Sequence, residues 1–182
     1  MQIECTPDIK TLERLCRLTN RKAFTAFRAR DTCIITAATL RDVLEELGVP
    51  AKLIRVEAVG FGKNGPTILG SDGDGSRRRA AGPGMWPGHL AVVATEQFLL
   101  DPTLDQITGC KPFAGEITEE WLNGTRTLWW VDGERAPGFP SQAKTATRYH
   151  AFPGRGGWKS APDFRPSRRR ELVASILSAW GG

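Results

Sequence analysis

Cys33, His89 and Asp101 have the types, and the order along the chain, that suit thiol chemistry. A thiol is a nucleophile only as thiolate, and a helix N-terminus favours that form through its unpaired N–H groups and positive potential. The segment RDTCIITAATLRDVLEELGVPAK, residues 30–52, puts Cys33 on the first turn of an expected helix. The amides that favour a thiolate can also bind an oxyanion, provided the attacked carbonyl docks against them. Alone, a cysteine on a helix is an ordinary small core residue. Its chemical meaning comes from two residues further along the chain.

His89 opens an expected strand, HLAVVA at 89–94, and Asp101 lies in the next, FLLDPT at 98–103, across a tight connection at 95–97. If the turn centres on Glu96, Ala91 lies opposite Asp101 and His89 opposite Thr103. Side chains alternate with period two, so His89, Ala91 and Asp101 share one face. His89 and Asp101 are then diagonal neighbours, with alpha carbons about 7–8 Å apart, a gap that an imidazole and a carboxylate can bridge. Their shared face is expected to pack toward the helix that carries Cys33. Asp105 lies beyond the strand and is worse placed in this register. His150, in RYHAF, is the alternative base, and no acid partner for it can be named.

The stretches DTCIITAATLRDVLEELGVPAKLIRV, WPGHLAVVA and FLLDPTLDQ together resemble the papain-like thiol superfamily. Within it they resemble the transglutaminase-like branch, which includes arylamine N-acetyltransferases and bacterial transglutaminase-like peptidases. The likeness spans about residues 28–108. It implies an α+β fold, with the cysteine on a helix N-terminus packed on a small antiparallel sheet. It also implies Cys33 as nucleophile, His89 as base and acid, and Asp101 as the residue that orients the imidazole. The implied reaction is acyl transfer through a thioester: a peptidase or amidase with water as second nucleophile, a transferase with an amine. Substrates would be a protein, a peptide or a small amide or acyl compound, and no metal or organic cofactor is implied. Two departures stand out. The cysteine lacks the GxCW-type surround, and no tryptophan or glutamine can be assigned to complete an oxyanion hole. Met85, Trp86, Gly88 and Gln106 are candidate substrate-lining residues.

The elements that must position these residues are legible in outline. Thr6-Pro7-Asp8 reads as a helix opening, with Ile9, Leu12, Leu15 and Cys16 at helical spacing and a polar, basic stretch from Asn20 to Arg30 after it. Asp31 or Thr32 can cap the Cys33 helix, which Gly48 and Pro50 end. AKLIRVEAVGF reads as a strand, and residues 60–88 as a long loop rich in glycine and proline, either a lid or disordered. Its DGDG lacks the later acidic ligand of a calcium loop. A short helix at ITEEWLNG, strands at RTLWWVDG and TATRYHAF, and a final amphipathic helix capped by Ser167 complete the reading. The chain is expected to be one domain, 1–182, with a core at about 28–108 and a C-terminal extension at about 109–182.

Composition sets the alternatives. The chain has 182 residues, four cysteines, two histidines and a net charge of +5. The cysteines form no CxxC pair, which argues against a close-spaced zinc site. No run approaches the roughly 18 apolar residues of a membrane span, and the N-terminus lacks a signal-peptide shape, so a cytoplasmic protein is expected. Arg77, Arg78 and Arg79, with Arg168, Arg169 and Arg170, form possible basic patches. They give a second reading: a non-catalytic module on the same fold that binds nucleic acid or an acidic protein. A weaker third reading is a redox protein pairing Cys33 with Cys5 or Cys110.

Overall fold

Asp8, two residues after the expected cap, starts the first helix, α1 (Ile9–Phe27): its carboxylate accepts hydrogen bonds from the Thr11 N–H at 2.9 Å and the Thr11 hydroxyl at 3.1 Å. The computed structural model describes residues 7–27, 32–62, 65–70, 88–107, 109–131, 134–138, 146–153, 157–161 and 164–181. α1 continues through the polar stretch after Asn20, because Thr19 and Ala23 extend the buried stripe begun by Leu12, Leu15 and Cys16. Helix α2 (Cys33–Glu46) is buried on most of its circumference. Gly48, at φ +79°, ends it: the Gly48 N–H reaches Glu45 O at 3.0 Å and the Val49 N–H reaches Leu44 O at 2.8 Å. These two bonds satisfy carbonyls that the helix end leaves open.

The chain then enters β1 (Ala51–Gly62), the long central strand. Part of the expected loop is in fact a strand, β2 (Gly65–Leu69), antiparallel to the far half of β1, with Leu69 opposite Ala58. β3 (His89–Ala94) pairs with the near half, His89 opposite Val56, so β2 and β3 lie end to end along one side of β1. β4 (Phe98–Asp101) and β5 (Phe113–Glu116) follow outward from β3. On the other side of β1 lies β8 (Ala146–Phe152), then β6 (Thr127–Val131) and β7 (Glu134–Ala136). The described sheet thus has eight strands, all pairings antiparallel, and is larger than the small sheet expected. Residues beyond 108 are not peripheral to it, since β8 sits directly beside β1.

Two cores flank the sheet. On one face, Leu90, Val92, Ala94 and Leu100 pack against α1, α2 and α4 (Pro166–Gly181). Pro166 is the first residue of α4, so Ser167 lies inside the helix and is not its cap. On the other face, Val56, Ala91, Val93, Leu99, Trp130 and Tyr149 pack against α3 (Glu119–Leu122), which Thr118 caps. The sheet curls around this second core: Phe113 of β5 meets Trp130 of β6 with ring centroids 4.9 Å apart and Tyr149 of β8 at 5.1 Å. Gly115 allows that approach, because a Cβ there would sit 2.5 Å from Trp130 Nε1. The fold is α+β, and among the described residues no helix is long and apolar enough to cross a membrane.

Candidate active site

Cys33 is the first residue of α2, preceded by Thr32, whose side chain does not cap the helix. Thr36 is bonded through its N–H to Thr32 O at 2.9 Å, so the N–H groups of Cys33, Ile34 and Ile35 precede that rung of the helix ladder. Cys33 carries its half-buried thiol at this positive end of the helix, with Sγ 4.0 Å from Gly88 O. The helix therefore begins where β3 begins.

The β3–β4 hairpin has the register that a turn at Glu96 requires: Val92 lies opposite Leu100 and Ala94 opposite Phe98. Thr95 (φ 51°) and Glu96 (φ 59°) are both left-handed, with Gln97 N–H on Ala94 O at 3.1 Å, a type I′ geometry that matches strand twist. Continued downward, the register sets His89 and Asp101 on one face, and His89 Nε2 lies 2.7 Å from Asp101 Oδ2. That face is not the one toward α2, as the spacing alone suggested. Leu90, Val92 and Leu100 face the helices, while His89 and Asp101 point into the second core. Cys33 meets His89 around the start of β3 rather than across the sheet.

Asp101 is fully buried, and each carboxylate oxygen is saturated. Oδ1 accepts from the Thr103 N–H at 3.0 Å and its hydroxyl at 3.3 Å; Oδ2 accepts from His89 and from the Tyr149 hydroxyl at 2.9 Å. With Nε2 committed to Asp101, the nitrogen that His89 has left for the thiol is Nδ1. Burial pushes the imidazole toward its neutral form, but the Asp101 charge and hydrogen bond, with smaller contributions from Cys33, raise it from 6.5 to about 10. The Asp101 carboxylate therefore favours the protonated form of the His89 ring. Burial, then the Asp101 charge, raise Tyr149 well above the usual phenol range, so it remains a neutral donor to Asp101. The same two causes, in the same order, push up the thiols of Cys16 and Cys110. Cys16 is a core thiol and Cys110 is half-buried at the edge of the second core, and Cys16, Cys33 and Cys110 are all unpaired among the described residues.

Tyr149 is the participant that sequence reading missed. It is the sole tyrosine of the chain and alternates with His150 on β8, so the signal was a single phenol at an apolar strand position. His150 is turned to the opposite face, where its Nδ1 meets Thr127 Oγ1 at 3.2 Å and its ring packs on Phe152. It is not brought to Cys33. Asp105 is exposed, and accepts from Asn20 Nδ2 at 3.1 Å. Gln106 stands half-buried on a 3-10 turn after Asp101, its Nε2 enclosed without an acceptor among the described residues. Gly88 adjoins the thiol; Met85, Trp86, Arg77, Arg78, Arg79, Asp31 and Cys5 lie outside the described residues.

The second arginine cluster is not a uniform patch. Arg168 and Arg170 are on the exposed side of α4, but Arg169 is 3% exposed, with its Nε 2.5 Å from Asp42 Oδ2 and its guanidinium over the Phe164 ring. It ties α4 to α2. Among the described residues no group of three His, Cys, Asp or Glu side chains could hold a metal ion. The chain matches no protein-family model, no curated protein and no solved structure.

Proposed function

We propose that this chain is a cysteine-dependent acyl-transfer enzyme with a papain-like, transglutaminase-like arrangement, hydrolysis being preferred over transfer to an amine. The observation that carries the reading is the buried His89 imidazole held between the Asp101 carboxylate and the Cys33 thiol. A neutral His89 takes the Cys33 proton at Nδ1, giving the thiolate–imidazolium pair that the Asp101 charge favours, and Asp101 fixes the ring with Nε2–H toward itself. The thiolate attacks an amide or ester carbonyl; a C–S bond forms and the carbonyl electron pair moves onto oxygen, where first-turn amides of α2 stabilise it. The oxyanion collapses, the C–N or C–O bond breaks, and His89 returns its proton to the leaving group. Water, deprotonated by His89, then attacks the thioester and releases Cys33. The alternative, a basic binding module, draws no support from Arg169, whose charge is spent on Asp42.

The test is to trap the thioester. Incubation with p-nitrophenyl acetate, followed by peptide mass spectrometry, should place one acetyl group on Cys33 that decays in buffer. Cys33→Ala and His89→Ala should abolish the adduct. Acetylation spread over lysines with none on Cys33 would overturn the proposal.

A further inference from the structure

Gly70 follows β2 and sits in the gap between the end of β2 and the start of β3 on the same side of β1. Its φ is +71°, and a Cβ there would lie 2.4 Å from His89 N, 2.5 Å from His89 Cβ and 2.5 Å from Val56 O. All three are atoms of backbone or its first carbon, so no flexible side chain can swing aside. Gly88, on the other side of His89, carries the carbonyl beside the Cys33 thiol. The start of β3 is thus held between Gly70, the β1 backbone and the α2 N-terminus.

We infer that Gly70 is a positioning residue for His89: by abutting its backbone without a side chain, the β2 strap sets how far the imidazole reaches toward Cys33. The inference rests on the catalytic reading for its meaning, but its geometry can be tested apart from it. Contacts to a Cβ are essentially never under 3.0 Å, so an added methyl must move His89 or β2 by more than half an ångström. A displacement of about 1 Å at a catalytic group can cost about a hundredfold in rate.

Gly48 supplies a matched control. Its φ is +79°, but a Cβ there meets nothing within 4 Å. Gly48→Ala therefore carries the conformational strain without the collision. Two readouts separate the possibilities: the titration of His89, followed by its 13Cε1 NMR shift, and the rate of Cys33 alkylation by iodoacetamide at pH 6.5. Gly70→Ala should move the His89 titration midpoint by at least one pH unit and slow Cys33 at least tenfold; Gly48→Ala should change neither. If Gly70→Ala does not fold, Thr67→Pro decides. Thr67 is exposed and, among the described residues, pairs only with Gly60, so proline there loosens the strap without adding an atom near His89. It should shift both readouts in the same direction as Gly70→Ala. A folded Gly70→Ala, or failing that Thr67→Pro, with wild-type His89 titration overturns the inference. Absence of any Cys33 rate advantage in the wild type would instead refute the catalytic reading, and the NMR titration would still decide the role of Gly70.

Discussion

Asp101→Asn should weaken the fold most at neutral pH and remove much of its pH dependence above pH 6.5. Asparagine keeps the shape of the side chain but turns one of two saturated oxygens into an NH2 group. If oxygen stays toward Thr103, Nδ2 faces His89 and Tyr149, and only a neutral imidazole can accept from it. With the Asp101 charge gone, the two larger raising causes are lost, burial weighs more and His89 falls well below its wild-type value. Breaking a buried ion pair by neutralising one partner costs about 3–5 kcal/mol. The sign with pH comes from linkage. In the wild type His89 is raised, so its contribution is full below 6.5 and is lost as pH climbs through about 10. Raised Cys16 and Cys110 add a loss of the same sign at alkaline pH; burial, the larger cause, acts in both proteins, and the smaller part due to the Asp101 charge is absent from the variant. Between pH 6.5 and 8, below the ordinary thiol range, the change in the gap between wild type and variant therefore reports chiefly the His89–Asp101 pair. Urea unfolding, read from the six tryptophans at pH 6.5, 8 and 9.5, measures it. The gap should be widest at pH 6.5 and should close toward pH 9.5. A gap constant across that range would refute the reasoning.

Other consequences concern the scaffold. Arg169→Ala should destabilise by about 2 kcal/mol in urea titrations, because it removes the buried side chain that ties α4 to α2, while Arg41 keeps Asp42 paired; Arg170→Ala, on the exposed side of the same helix, should change little. Replacing Thr95-Glu96 by Asn-Gly should raise Tm by a few degrees, since both positions are left-handed and the exposed Lys52–Glu96 pair contributes little. An unchanged or lower Tm would argue against strain in that turn. His150→Ala should leave Cys33 alkylation at the wild-type rate, as its ring is turned away from the site; a loss matching that of His89→Ala would make it the base.

What could be read from the chain depended on whether the signal was local. The α2 start at Cys33, its stop at Gly48 and the β3–β4 register come from capping, glycine and the period of two, and these bring His89 to Asp101. The direction of that face could not be read, because all six residues of β3 are buried and the alternation carries no polar mark. β2 was hidden within a glycine-rich stretch, and β5 and β7 span only four and three residues. The place of β8 beside β1, and with it Tyr149 on Asp101, depends on pairing between residues far apart in sequence. No local pattern encodes that. The buried Arg169 was similarly masked, since three adjacent arginines read as one charged run until the helix face separates them.

The central claim is that His89 activates Cys33, and alkylation as a function of pH tests it most directly. At pH 6.5 an ordinary thiol is only about 1% thiolate. Site-resolved mass spectrometry after brief iodoacetamide exposure should show Cys33 reacting about tenfold faster than a free cysteine derivative in the same buffer, with Cys16 and Cys110 slower than either. His89→Ala should bring Cys33 down to the ordinary rate. If Cys33 in the wild type tracks the free thiol across the pH range, unaffected by His89→Ala, then the helix-start cysteine is a packing residue and the catalytic account is wrong.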